Sequence, residues 1–391
     1  MEKNGRIFIF GGGVKGKELL DYLIEIGREG DVEAFIDNDI KKQKDGIKGL
    51  ECISVNEAIQ RGARDAIVLV SLVCSDEIEE SLKANKFTRV FCTARWMWEN
   101  KYYKPDILEQ SDYKNAVPFN HYESPYPDIV EIHRKEDKLF NCDKEVLDIN
   151  FNINRQLELV DKMKQIDLPG WKEEKTPMMN YRYYYGNEWF EKGSADALYY
   201  MIRILKPHKI IEVGSGYSTA VMLDVNENYF NNEIQITSIE PDPARLKSLL
   251  KQTDNIDIIE KKLQDISENF FEKLEENDIL FIDSSHISKI DSDVNHLFFD
   301  ILPLLSKGVY VHLHDVMYPF TYPKEWIYEG RAYNEMYMLR AFLMNNEAYS
   351  VQFFGDMLSK KYARSLGKVI GCGEGSFWMR KEIEGMHMCK N

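Results

Sequence analysis

An α/β architecture with two Rossmann-like domains is what this 391-residue sequence predicts. The first observation is length, since a chain this long exceeds one small core and divides naturally into two domains. The second is a repeated pattern: an apolar run, a glycine-rich turn and a segment able to form a helix occur near residues 6–23 and again from residue 210. The third is the regular strand–helix alternation after residue 210, which dictates a parallel, doubly wound sheet.

The elements follow in order. Arg6-Ile7-Phe8-Ile9-Phe10 reads as a buried strand, and Gly11-Gly12-Gly13-Val14-Lys15-Gly16 is a Gly-x-Gly-x-x-Gly turn. Lys17 to Leu23 has helical periodicity. The strand Val32 to Ile36 ends on Asp37, about 20 residues past the last glycine, where a dinucleotide fingerprint places a ribose-binding acid. A strand at 66–71, a helix from Asp76 to Leu82 with an acidic first turn, and a strand at 89–92 complete the first domain, read as 1–97. Its Gly11, Gly13, Gly16 and Asp37 are candidates to hold a nucleotide or nucleotide-sugar; the other reading is a module that has lost its ligand and serves in assembly. The stretch resembles the N-terminal domain of sugar acyltransferases of the sialic-acid and bacillosamine type. The resemblance rests on the Phe10-Gly11-Gly12-Gly13 turn, on Phe35-Ile36-Asp37-Asn38-Asp39 and on Gly46-Ile47-Lys48-Gly49-Leu50. It implies a domain that helps to hold a UDP-sugar. No hexapeptide repeat follows, so acyl transfer is not implied.

Residues 98–180 read as a helical and loop linker and cap. Trp96, Trp98, Tyr102 and Tyr103 precede a proline-containing loop at 117–127, and a charged helix is expected from Lys144 to Ile166. Leu168-Pro169-Gly170-Trp171 breaks it. In the cluster Tyr181 to Asn187, Tyr183 and Tyr184 are candidate walls of a substrate pocket, the alternative being an aromatic cover over the next core.

The third region, 181–391, carries the chemistry. A helix from Ser194 to Leu205 leads to the strand Ile210 to Val213 and the turn Gly214-Ser215-Gly216-Tyr217-Ser218, where the absence of Cβ atoms lets the backbone approach a ligand. Further strands at 235–239, 256–259, 278–282 and 309–313 alternate with helices at 245–250 and 296–305. Strands at 350–354 and 376–380 read as a closing antiparallel hairpin. Glu212, Glu240, Asp283, His314 and Asp315 all fall near strand carboxyl ends, where such sheets bind ligands.

Glu212-Val213-Gly214-Ser215-Gly216, Ile239-Glu240-Pro241-Asp242, Phe281-Ile282-Asp283-Ser284-Ser285-His286 and His312-Leu313-His314-Asp315, in this order, resemble a class I S-adenosylmethionine-dependent methyltransferase with a seven-stranded sheet. Tyr318-Pro319-Phe320 and Glu329 to Glu335 resemble a bacterial branch linked to surface-polysaccharide and secondary-metabolite genes. The resemblance implies S-adenosylmethionine as cofactor. Gly214, Ser215, Gly216, Tyr217 and Ser218 would lie against its methionine end, Glu212 would orient its amino group, and Glu240 would accept from the ribose hydroxyls. Gln264 or Asp265 would meet the adenine amino group, with Asp283 beside the cofactor. NAD is disfavoured at this turn, which lacks the third glycine.

An alcohol acceptor needs its proton removed, by a base or by a metal that lowers its pKa. One reading makes His286 or His314 the base, with Asp283 or Asp315 holding its tautomer. The other resembles the metal site of catechol-type and macrolide-sugar O-methyltransferases: Asp283, His314 and Asp315 would hold a divalent ion, and the histidine favours manganese, zinc or iron over magnesium. His312 reads as a core histidine. Arg331 and Asn334 are candidates for lining the acceptor pocket, the alternative being a salt-bridged surface helix.

The formal net charge of -15 argues against a nucleic-acid partner, which needs a basic stripe. The six cysteines, at 52, 74, 92, 142, 372 and 389, show no metal or redox spacing and read as thiols in a reducing compartment. With no signal peptide and no membrane-length apolar run, the expectation is a cytoplasmic protein; a homo-oligomer is left open. The expected activity is O-methylation of a sugar or nucleotide-linked sugar. The alternatives are N- or C-methylation of a small metabolite and a non-catalytic two-domain nucleotide-binding scaffold.

Overall fold

The computed structural model describes residues 6–25, 27–71, 76–92, 121–175, 180–367, 369 and 375–385. The chain divides into two compact units, Met1–Ala116 and Val117–Asn391. Trp96, Trp98, Tyr102 and Tyr103 lie outside the described residues.

The first unit holds β1 (Ile7–Phe10), β2 (Val32–Ile36), β3 (Cys52–Ile53), β4 (Ile67–Val70) and β5 (Arg89–Cys92), in the order β3-β2-β1-β4-β5. All pairs are parallel. Both faces of β1 are buried: Phe8 and Phe10 join one apolar cluster, Ile7 and Ile9 another. That explains its unbroken apolar run, since helices cover both faces of a parallel sheet. The two-residue β3 was not anticipated, because a strand that short leaves no periodicity to read.

The second unit holds β6 (Lys209–Val213), β7 (Gln235–Ile239), β8 (Asp257–Ile259), β9 (Ile279–Ile282), β10 (Tyr310–Leu313), β11 (Tyr349–Phe354) and β12 (Phe377–Lys381), in the order β11-β12-β10-β9-β6-β7-β8. Only β12 runs antiparallel, against both β10 and β11. This is the seven-stranded sheet expected from the sequence. The order places β6 between β7 and β9, so the chain reverses direction across the sheet there and opens a crevice at the strand ends.

Three expectations need correction. The final two strands pair antiparallel but form no tight hairpin, because the helix Gly355–Leu366 lies between them. The helix expected over 144–166 is confined to Ile153–Met163, since Asp148 and Asn152 take left-handed backbone angles (φ 62° and 48°) that interrupt it. The helix expected over 296–305 starts at Asp293, where Ser292 caps it by accepting from the Asn295 N–H, and it contains a π turn at Leu297–Ile301.

The loop 181–187 is clamped down by a buried ion network. The Arg182 guanidinium reaches Asp224 (2.9 Å), Glu227 (2.7 Å) and Asp254 (2.9 Å from Nε). Its backbone N–H also donates to Asp224. Burial opposes the charge, but the three carboxylates raise the Arg182 pKa further above its usual value. Removing one partner of such a network leaves an uncompensated buried charge, a cost of about 3–5 kcal/mol. Among the described residues, no helix is long and apolar enough to cross a membrane.

Candidate active site

The site builds from the carboxyl ends of β6, β7, β9 and β10. After β6 the chain turns at Gly214, whose φ of +80° and proximity to Asp283 both require glycine: a Cβ there would lie 2.1 Å from the Asp283 carbonyl oxygen. Gly216 opens the helix Tyr217–Tyr229, and its N–H donates to Thr219 Oγ1 (3.1 Å). Glu240, just past β7, reaches back to this turn: it accepts from the Ser215 N–H (3.1 Å) and the Asp242 N–H (2.9 Å). Burial raises its pKa, while these two donors oppose the rise. Ser215 Oγ is buried without a hydrogen-bond partner. An orphaned hydroxyl, a backbone stripped of Cβ atoms and a carboxylate with spare acceptor sites fit a nucleoside-sized ligand with a polar tail. Tyr217 stands at the same turn, its hydroxyl 3.1 Å from that of Tyr184. Arg245 lies beside Gly216 and stacks 3.6 Å over the Trp189 ring, a neighbour the sequence did not reveal.

Glu212 does not face this ligand site. It is fully buried, and its two oxygens accept from Ser218 Oγ (2.6 Å) and Thr219 Oγ1 (2.5 Å). The expected role in orienting an amino group gives way to bracing the turn from below, and Ser218 shares that bracing role. Burial is the main reason its pKa is pushed up to about 8.

Beyond β9 and β10 lies a cluster of acids and histidines. His286 Nε2 is 3.5 Å from Asp283 Oδ1 and 3.3 Å from Asp315 Oδ2, while its Nδ1 is 2.8 Å from Glu335 Oε2. His314 Nδ1 is 3.2 Å from Asp315 and 3.8 Å from Asp283, and its Nε2 is 3.2 Å from Ser194 Oγ. Burial works against charge throughout, yet the groups support one another. His314 and His286 hold Asp283 down to about 2. Asp315 and Asp283 push His314 up to about 9, and Asp283 and Glu335 hold His286 well above the usual histidine range. His312 behaves differently: fully buried and stacked 4.0 Å on Phe281, it is held well below that range by burial, as a core histidine should be.

Ligand atoms of Asp283, His286 and Asp315 lie within 4.8 Å of one another, so these three could share a divalent ion. The trio differs from the expected one: His286 takes the place of His314, whose Nε2 is turned away to Ser194.

Other expected residues lie elsewhere. Tyr183 is fully buried and donates to the Phe190 carbonyl (2.9 Å), so it is a core residue and no pocket wall. Asn334 is spent on the backbone of Ser288: its Oδ1 accepts from the N–H (2.6 Å) and its Nδ2 donates to the carbonyl (3.2 Å). It therefore shapes the loop that carries His286 instead of lining a pocket. Arg331, by contrast, stays near the cluster: it pairs with Glu329 (2.7 Å) and lies 4.6 Å over the Trp326 ring and 5.8 Å over that of Tyr333, the neighbour of His286. Gln264 donates to the Asp291 carbonyl (2.8 Å), whereas Asp265 is exposed. Glu335 closes the stretch Glu329 to Glu335 and has no separate signal in the sequence. Its partner His286 is 49 positions away, a separation no local pattern reveals.

In the first unit, Gly16 packs so closely on Gly11 that a Cβ would lie 1.9 Å from its carbonyl oxygen, as the fingerprint requires. Asp37 stands at the glycine turn as Glu240 does at its own, with Lys42 as an additional partner. Oδ2 accepts from the Gly12 N–H (2.7 Å) and Lys42 (2.8 Å), and Oδ1 from the Asp39 N–H (2.9 Å). At Gly12 lies a cavity of about 310 Å³ whose lining includes Lys17, Lys41, Lys42 and Lys48 together with Asp45.

Residues 211–316 match the family described as "Methyltransferase domain". The chain is 38% identical over 166 residues to an uncharacterized protein of Archaeoglobus fulgidus, covering 41% of this chain and 74% of that one. Among solved structures it is similar to the O-methyltransferase TomG of Streptomyces achromogenes, involved in tomaymycin synthesis and crystallised with S-adenosylmethionine (13% identity, TM-score 0.32, 65% of this chain and 96% of that one). It is also similar to the apo structure of CmcI-N160 (18% identity, TM-score 0.34, 57% and 83%).

Proposed function

We propose, for a chain that carries a methyltransferase domain and belongs to one family with the Archaeoglobus fulgidus protein, that it transfers the methyl group of S-adenosylmethionine to a hydroxyl of a small acceptor, a sugar or nucleotide-linked sugar. One observation carries this reading. The glycine turn and the acid–histidine cluster abut, because Gly214 packs directly on the backbone of Asp283. A methyl donor held at the turn is thereby set beside a group able to take a proton.

Gly214, Ser215 and Gly216 would cradle the methionine end, Ser215 Oγ would gain a partner there, and Glu240 would accept from the ribose. The cofactor supplies an activated methyl group on a positively charged sulfur. The protein's part is then in-line positioning and proton removal. In its neutral form, which the surrounding carboxylates disfavour so that transfer would rise with pH, His286 would take the acceptor's hydroxyl proton on Nε2 as the oxygen attacks the methyl carbon. Transfer would break the carbon–sulfur bond and leave its electron pair on sulfur. Asp283 and Asp315 stabilise the imidazolium that results. Tyr333, with its ring 5.0 Å from that of His286, and Trp326 offer half-buried aromatic faces, backed by the buried Tyr322. Flat apolar faces beside a few polar groups suit a sugar ring.

A second reading rests on the convergence of Asp283, His286 and Asp315: a divalent ion held there would lower the acceptor's pKa, and His286 would be a ligand instead of a base. In the first unit, the lysine-lined cavity beside Gly12 suits a phosphate-bearing ligand, with Gly11 and Gly16 shaping the turn.

Incubation with methyl-labelled S-adenosylmethionine and a panel of free, UDP- and GDP-linked sugars tests the reading. The expected result is one labelled sugar ether, formed without added metal and lost in His286→Ala. Label only in amine or carbon positions would overturn O-methylation, and abolition of transfer by a chelator would select the metal reading.

A further inference from the structure

We propose that Glu335 is a positioning residue for this reaction: its carboxylate fixes the His286 ring through Nδ1 and leaves Nε2 as the nitrogen that meets the acceptor. The inference rests on the reading of His286 as the proton acceptor.

The geometry separates two jobs at this spot. The loop carrying His286 is stapled to the start of the helix Glu335–Leu343 by backbone alone, since the Asn334 and Glu335 N–H groups both donate to the His286 carbonyl (3.0 and 3.1 Å). That staple accompanies the left-handed conformation of His286 (φ +60°) and uses no side-chain atom of residue 335. The Glu335 side chain is therefore free for a different task. It is 3% exposed, a placement a carboxylate adopts only when partnered. Its Oε1 accepts from Ser284 Oγ (2.7 Å), which fixes the carboxylate, and its Oε2 lies 2.8 Å from His286 Nδ1, where a carboxylate can only accept, so Nδ1 carries a proton. Ser284 Oγ in turn accepts from the His286 N–H (3.0 Å), so serine, glutamate and histidine lock one another. With Nδ1 committed, only Nε2 is left to face Asp283 and Asp315. A carboxylate that fixes one imidazole nitrogen decides which tautomer the other nitrogen presents.

The test compares Glu335→Gln and Glu335→Asp with wild type in kcat, acceptor KM, S-adenosylmethionine affinity, melting temperature and the ¹⁵N signal of His286 Nδ1. In Glu335→Gln, the amide oxygen keeps the Ser284 bond and the NH₂ group faces Nδ1. The proton then moves to Nε2, whose lone pair is lost. The expected result is a fall in kcat on the order of 10- to 100-fold, with acceptor KM, cofactor affinity and melting temperature unchanged. The Nδ1 signal moves to the unprotonated position, and Glu335→Asp recovers part of kcat. Unchanged kcat and an unchanged Nδ1 signal in Glu335→Gln would overturn the proposal. So would a parallel loss of kcat, cofactor affinity and melting temperature, which marks a merely structural residue. Should wild type transfer no methyl group to any acceptor, the reaction reading fails, and the Nδ1 signal alone still decides whether Glu335 sets the ring.

Discussion

Glu212 illustrates how a single residue's chemistry is set by burial. Its carboxyl is enclosed beneath the glycine turn and its pKa is pushed up to about 8 from an ordinary value of 4.5. The folded protein therefore binds this proton more tightly than the unfolded chain does. The stabilising contribution is complete below about pH 4.5 and is lost as pH rises through about 8. Glu212→Gln keeps a neutral group of the same shape and removes the titration. Denaturant unfolding at pH 5 and pH 8 should show wild type losing on the order of 3 kcal/mol relative to Glu212→Gln across that interval. Identical pH dependence in the two proteins would mean that Glu212 stays ionised in the fold. The sequence marked Glu212 and Glu240 alike as acids near strand ends, and only Glu240 stands at the ligand turn. β6 is buried on both faces, so alternation along it cannot tell an acid aimed at a ligand from one aimed at the core. Tyr183 and Asn334 were misread for a related reason: their partners, Phe190 and Ser288, depend on how loops fold back, which composition does not encode.

At the scale of elements, the decisive feature is the junction of β6 with the helix Tyr217–Tyr229. Strand, turn and helix were legible there because each has its own signal: a β-branched run, a Gly-x-Gly turn and a helical continuation. The contact of Gly214 with Asp283 was not, because it joins β6 to β9 across the sheet. Gly214→Ala should therefore fail twice. The alanine must adopt a positive φ, and its Cβ must displace the Asp283 backbone, for a combined cost of about 3 kcal/mol or more. Thermal unfolding should shift down, and cofactor binding should be lost even where the variant remains folded. Binding at wild-type affinity in Gly214→Ala would show that the turn does not carry the cofactor. The same limit applies to strand β3 and to the break before the helix Ile153–Met163, where two left-handed residues decide an outcome that hydrophobic periodicity does not record.

At the scale of the molecule, the parallel α/β character of the second unit was readable from strand–helix alternation, but its strand order was not, and the buried first strand of the first unit was readable from its unbroken apolar run. What the sequence could not supply was the set of long-range pairings, Glu335 with His286 and His314 with Ser194, that turns a row of polar strand ends into a cluster with shifted proton affinities. The first unit makes the same point. Its glycine fingerprint is intact and Asp37 stands at the turn, but the pairing of Asp37 with Lys42 and the open space among lysines next to Gly12 were not legible in the fingerprint. The central claim is that the β6 turn, with Glu240, holds S-adenosylmethionine beside the acid–histidine cluster. Calorimetric titration of the full chain with S-adenosylhomocysteine, in wild type and in Glu240→Gln, tests it most directly. The account predicts one saturable site in wild type and, in Glu240→Gln, affinity weaker by about tenfold, the loss of one good hydrogen bond to a charged acceptor. A flat titration in wild type, or equal affinity in the two proteins, would contradict it.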